Sequence, residues 1–228
     1  MKNTFLIFKK KGLLCFILVI IVALIVSFFA VSNVSIPKPQ YSIVIDAGHG
    51  GIDGGAVGGK GISESQLNLD YSLELKKLCE SVGIKVVLTR SDMNGLYSPT
   101  SSNKKRSEME KREKIINSSN ADAVVSIHMN SFPLPSSRGA QVFYKEGDES
   151  GKAFADGVQS ELLKNIENSR KIPAIGDYYV LNCCKKPAIL VECGYLSNAE
   201  EEKLLCDKEY MEKFCKALLQ GILNFFNM

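Results

Sequence analysis

Histidine occurs twice in this chain of 228 residues, and both copies follow runs that read as buried strands. His49 ends Ile43-Val44-Ile45-Asp46-Ala47-Gly48-His49, and His128 ends Val124-Val125-Ser126-Ile127-His128. A lone histidine at a strand end is more often a hydrogen-bonded structural residue than a ligand. Two at matching ends are a different matter, because open α/β sheets gather ligands at the carboxyl ends of their parallel strands. Imidazoles meeting there suit a metal or a general base.

Glu64 offers a third group. It opens a helical stretch reached from His49 through a glycine-rich loop with Gly50, Gly51, Gly54, Gly55, Gly58, Gly59 and Gly61. One reading is that its charge complements the helix N-terminus. The loop lacks the Gly-Lys-Ser/Thr and Gly-x-Gly-x-x-Gly patterns of phosphate cradles. Two imidazoles and one carboxylate match a catalytic zinc set, in which three protein ligands leave a position open for water. Such a site needs a proton carrier, and Glu192, closing the apolar run Ala188-Ile189-Leu190-Val191, is placed for it. A carboxylate there is costly unless paired or functional; the structural alternative is a salt bridge to Arg90 or Arg112. Cys193, next along the same strand, faces the opposite way, which disfavours a cysteine nucleophile.

The elements that carry these groups show in the hydrophobic pattern. Strands are expected at Ser42–Asp46, Lys85–Thr89, Ala123–Ile127, Ala140–Tyr144, Tyr178–Leu181 and Ala188–Glu192. Leu67, Tyr71, Leu75 and Leu78 form a helical stripe entered through the capping box Ser63-Glu64-Ser65-Gln66 and stopped by Gly83. Further helices are expected at about 103–118, 151–167 and 208–225. Alternation of strands and helices implies a single α/β domain with a mainly parallel, twisted sheet of about six strands and helices on both faces.

Lys2, Lys9, Lys10 and Lys11 are four of the 28 basic residues, and no acid precedes Asp46, so the remaining body is nearly neutral. Without tryptophan or a basic stripe it gives no support for nucleic-acid binding. The lysines precede an uncharged run, Leu13 to Val31, long enough for a bilayer core of about 30 Å. The expected order is a basic cytoplasmic segment 1–12, a transmembrane helix or signal segment 13–33, a linker 34–41 and a catalytic domain 42–228 outside the cytoplasm. A retained anchor is favoured by the length of the run, although Ala30-Val31-Ser32 could serve for cleavage. The cysteine spacings form neither a small-domain disulfide framework nor a zinc ribbon, so mostly free thiols are expected.

Together the motifs carry a resemblance. Asp46-Ala47-Gly48-His49-Gly50-Gly51 with Asp53 and Gly55, Glu64 with Asn68-Leu69, Thr89-Arg90-Ser91-Asp92, Arg112 with Asn117, Ser126-Ile127-His128-Met129-Asn130, and Val191-Glu192-Cys193-Gly194-Tyr195-Leu196-Ser197-Asn198 resemble the zinc-dependent N-acetylmuramoyl-L-alanine amidases. Ala47, Met129 and Tyr195 depart from the residues frequent there and touch no expected ligand. The resemblance implies a peptidoglycan hydrolase cutting the amide between N-acetylmuramic acid and L-alanine of the stem peptide. His49, Glu64 and His128 would hold one zinc ion, and Glu192 would activate water. Asp46, Arg90 and Asn130 would support the ligands or meet substrate.

An anchored catalytic domain without wall-binding repeats is similar to the germination-specific spore-cortex subtype, which prepares muramic lactam and in some cases acts with an accessory lipoprotein. Regulated family members carry an autoinhibitory helical insertion after a late strand. Only Lys145 to Ser150 separate Tyr144 from helix-like sequence here, so none is expected. The rival functions are a zinc carboxypeptidase acting within the stem peptide and a non-catalytic wall-binding domain. The dispersed His, Glu, His order argues against peptidases that hold two ligands on one helix, and Glu192 argues against binding alone.

Overall fold

Apolar alternation in three strands lets one sheet bury both its faces. A computed structural model describes residues 18–22 and 40–228. In chain order the domain runs β1 (Ser42–Ala47), α1 (Glu64–Ser81), β2 (Lys85–Leu88), α2 (Lys104–Ser118), β3 (Ala123–Asn130), β4 (Gln141–Tyr144), α3 (Glu149–Asn165), β5 (Ala174–Ile175), α4 (Tyr179–Cys183), β6 (Ala188–Tyr195), α5 (Ala199–Leu205) and α6 (Lys208–Phe226). The six strands form one mixed sheet in the order β2-β1-β3-β6-β4-β5. The β2-β1-β3-β6 segment is parallel, whereas β4 runs antiparallel to β6 and parallel to β5.

The period-2 pattern sorts the strand side chains between two cores. Ile43, Ile45, Val125, Ile127, Ile189 and Val191 pack with Leu75, Phe154 and Phe214 of α1, α3 and α6. Val44, Val124 and Leu190 face Ile116 of α2 and Val180 and Leu181 of α4. Asp46, His128 and Glu192 therefore fall on the α2/α4 face, each continuing the alternation beyond the apolar stretch of its strand. Residues 40–228 belong to one compact unit.

The run Tyr178–Leu181, expected as a strand, is instead the beginning of a short helix. Val180 and Leu181 are buried side by side in the smaller core, which a helical turn allows and a strand with alternating faces does not. The sixth strand is the two-residue β5, too short to carry a period. Residues 145–148 alone join β4 to α3, with no helix inserted between them.

The six cysteines from Cys79 onward are free thiols. Cys193 is buried among the residues of the larger core, on the sheet face opposite Glu192. The expected membrane segment 13–33 lies outside the described residues except for 18–22, which are helical and exposed. Among the described residues no helix is long and apolar enough to cross a membrane.

Candidate active site

The ends of β1, β3 and β6 and the start of α1 converge on one point. His128 and Glu192 occupy paired register positions on neighbouring parallel strands, so their side chains stand side by side on one face. His49 leaves β1 in a left-handed conformation with φ of 58°, which turns the chain toward α1. At the head of α1, Ser63 caps the helix by accepting from the Gln66 amide. Gln66 pairs with Asp70 rather than reaching back to the cap, so only half of the expected capping box forms.

Glu64 Oε1 lies 3.2 Å from His49 Nε2 and 3.0 Å from His128 Nδ1. One donor atom from each of the three residues falls within 4.8 Å of the others. A tetrahedral zinc site with bonds of about 2.0–2.1 Å has ligand-to-ligand edges of about 3.3–3.4 Å. The donor types fit such an ion, and the two edges from Glu64, 3.0 and 3.2 Å, are close to this spacing. The other carboxylate oxygen of Glu64 accepts from the Ala56 amide at 3.0 Å, while Asn68 Nδ2 and the Met129 amide donate to Oε1 at 3.2 Å. These three bonds, two of them to the oxygen that faces the histidines, hold the carboxylate in place.

The electrostatics separate the two acids. Burial opposes the charge of Glu64, but His128 and His49 outweigh it and hold the carboxyl well below its usual range. Burial likewise disfavours a charged His49, yet the carboxylates of Glu64 and Asp53 raise it to about 9 without a metal. Asp53 Oδ2 lies 2.9 Å from His49 Nδ1, but off the ring's hydrogen-bonding direction. Glu192 is 8 % exposed and its Oε2 has no hydrogen-bond partner. Burial, with a further contribution from Glu64, raises its carboxyl to about 7 against the pull of the two histidines. A poised carboxyl beside three metal donors can move a proton near neutral pH.

Neither arginine forms the salt bridge to Glu192 considered from sequence. Arg90 is buried and donates to the carbonyls of Ala47, Gly48, Ser65 and Asp92, and so binds the glycine loop to α1. Arg112 pairs with Asp46 and Glu108 and also holds the carbonyls of Ala47 and His49. Asp46, further bonded by Thr89 and Ser126, is a buried support of that network. Asn130 reaches the cleft wall, as does Ser131 of the following loop. Asn68 and Asp53, which support Glu64 and His49, each stand four residues beyond the group they touch. For Asn68 that spacing on a helix was the available signal. Lys105 and Tyr178 complete the walls of a cleft of about 440 Å³ and carried no sequence signal.

A cleft at the carboxyl ends of parallel strands, with three convergent metal donors and a poised carboxyl, defines a hydrolase-type site on an α/β scaffold. Residues 43–224 match the family model described as N-acetylmuramoyl-L-alanine amidase, and the chain belongs to this family. It is 34% identical over 228 residues to the germination-specific N-acetylmuramoyl-L-alanine amidase of Bacillus subtilis, covering 96% of each protein. The solved structure of the CwlD amidase from Clostridioides difficile, in complex with the GerS lipoprotein, aligns with a TM-score of 0.79 at 37% identity over 82% of this chain and 99% of that one. The catalytic domain of CwlV from Bacillus (Paenibacillus) polymyxa aligns with a TM-score of 0.74 at 31% identity, covering 82% of this chain and 99% of that domain.

Proposed function

We propose that this amidase cleaves the bond between N-acetylmuramic acid and L-alanine in spore-cortex peptidoglycan, with zinc held by His49, Glu64 and His128. The observation that carries the reading is the unpartnered, buried Glu192 Oε2 beside a His-Glu-His donor set at metal-site spacing. Zinc, when bound, supplies a Lewis acid that polarises the scissile carbonyl and acidifies water. Glu192 takes the proton of the attacking water and returns it to the leaving amine of L-alanine. Asn68 and the amides of Ala56 and Met129 keep Glu64 oriented, while the Arg90 and Arg112 guanidiniums hold the chain on either side of His49.

The cortex assignment rests on similarity to the germination-specific amidase over almost the whole chain. In this reading residues 13–33 anchor the protein, with the catalytic domain outside the cytoplasm in the forespore-cortex space. The complex formed by the similar CwlD amidase supports an accessory lipoprotein as partner. The test is digestion of cortex and vegetative peptidoglycan by residues 40–228 with zinc, read by mass spectrometry. Release of stem peptides beginning with L-alanine is expected; free D-alanine with the lactyl amide intact would sink the amidase assignment.

A further inference from the structure

Three cations in succession begin α2, and their surroundings differ. Lys104 Nζ lies over the Tyr97 ring, 5.3 Å from its centroid. Arg106 donates to Glu110 Oε1 at 2.8 Å. Lys105, between them, is exposed and has neither an ion-pair nor a side-chain hydrogen-bond partner among the described residues. It lines the cleft that contains His49, Glu64, His128 and Glu192. It also lines, with Met109 and Tyr179, an adjoining hollow of about 620 Å³.

The charge of the cleft gives that position meaning. Arg112, the other basic side chain of the wall besides the histidines, is buried against Asp46 and Glu108. Asp53, Glu64 and Glu192 add three carboxyl groups around the reaction point. Asp53 lies 2.9 Å from His49 Nδ1; against burial, His49 and, to a smaller extent, the charge of Lys105 hold its carboxyl below the usual range, without an ion pair between Asp53 and Lys105. A divalent cation would balance Asp53 and Glu64, so an ionised Glu192 leaves one surplus negative charge, which opposes entry of an acidic ligand. The stem peptide is such a ligand, since beyond its L-alanine it bears free carboxylates. Lys105 is the cation on the wall without an ion-pair partner among the described residues, and the adjoining hollow, lined also by the paired Arg106 and Glu110, has room for peptide.

We propose that Lys105 determines specificity by receiving a carboxylate of the stem peptide, in a subsite formed with Met109 and Tyr179 beside the catalytic cleft. The inference rests on the amidase reading and concerns how the leaving peptide is recognised. An ammonium on a flexible stem, exposed before binding and partly covered by the peptide after it, gives a charge-assisted contact that an amide cannot replace. Its effect falls on substrate binding more than on turnover.

The test compares soluble muropeptides whose stem carboxylates are free with the same molecules after conversion of those carboxylates to amides. Binding is measured by calorimetry in zinc-loaded Glu192→Gln protein, so that the ligands remain uncut. Lys105→Ala is expected to weaken Kd for the free acids by about three- to tenfold. The amidated ligands should bind both proteins equally, and Lys105→Arg should retain most of the affinity. An equal loss on both ligand sets, or no loss on the free acids, overturns the proposal. Mass spectrometry of the free-acid muropeptides treated with the unsubstituted protein tests the amidase reading separately: absence of released stem peptide counts against that reading, while the two Kd series still decide the role of Lys105.

Discussion

Glu192 shows how one side chain's surroundings set both chemistry and stability. Its carboxyl sits at about 7 because burial disfavours the charged form. In the metal-free protein the folded state therefore holds a proton that the unfolded chain releases near the ordinary value of 4.5. Stability is lost as pH rises through about 7, so Glu192→Gln should stabilise the metal-free fold at pH 8 by about 1–3 kcal/mol and leave it little changed at pH 4. Denaturant titrations at the two pH values read this directly. The same variant should keep its zinc and lose hydrolysis by at least about a hundredfold, as expected for removal of a general base. His128→Ala should lose the metal itself, and a full zinc content by elemental analysis would remove His128 from the ligand set. Both histidines and both glutamates of the proposed set were legible in the sequence because each lies at the end of a strongly patterned element. Arg90 was visible as a candidate support through the family motif, but its partners were not: its four backbone acceptors come from separate segments, and no periodicity announces such a convergence.

At the level of elements, close approach of the glycine loop is what lets the strand ends and α1 meet. A Cβ on Gly48 would enter the His128 ring, and one on Gly55 would lie 2.5 Å from Glu64 Oε2 where φ is also +68°. Neither neighbour can withdraw without leaving the donor cluster. Gly48→Ala and Gly55→Ala should therefore reduce zinc affinity by about tenfold or more, with a stability cost of about 1–3 kcal/mol, whereas Gly59→Ala, whose Cβ meets only Glu202 at 3.5 Å, should leave zinc affinity within about twofold. Competition with a chromogenic chelator measures all three. The run of glycines was visible in the sequence, but which of them face the ligands depends on the turn geometry. The long amphipathic helices and apolar strands were visible because their patterns repeat several times. Tyr178–Leu181 misled because a four-residue apolar run carries no length to separate strand from helix, and burial of Val180 and Leu181 together favours the helical turn. The antiparallel β4 could not be read from pattern, since a buried strand looks alike in either direction.

For the molecule as a whole, the site couples folding to both protons and metal. His49 is raised to about 9 from 6.5 without a metal, so its contribution is fully present below pH 6.5 and is lost as pH rises through about 9. Glu192 acts in the same direction between 4.5 and about 7. Glu64, held below its usual range, contributes stability that is present above 4.5 and lost as pH falls further. The metal-free domain is accordingly expected to be most stable near pH 4.5, and its melting temperature should fall as pH rises from there to 9, first through Glu192 and then through His49. Zinc reverses this trend, because it binds the neutral imidazoles and must displace the proton that His49 otherwise retains. At free zinc of about 100 times Kd the added stability is about 2.7 kcal/mol, or about 5–11 °C for a domain of this size. Thermal melts of residues 40–228 at pH 6 and 8.5, each with chelator and with zinc, measure the coupling. The interval between the chelated and zinc-loaded curves should be wider at pH 8.5; an equal interval at both pH values would mean that metal and proton do not compete for His49, and would count against its place among the ligands.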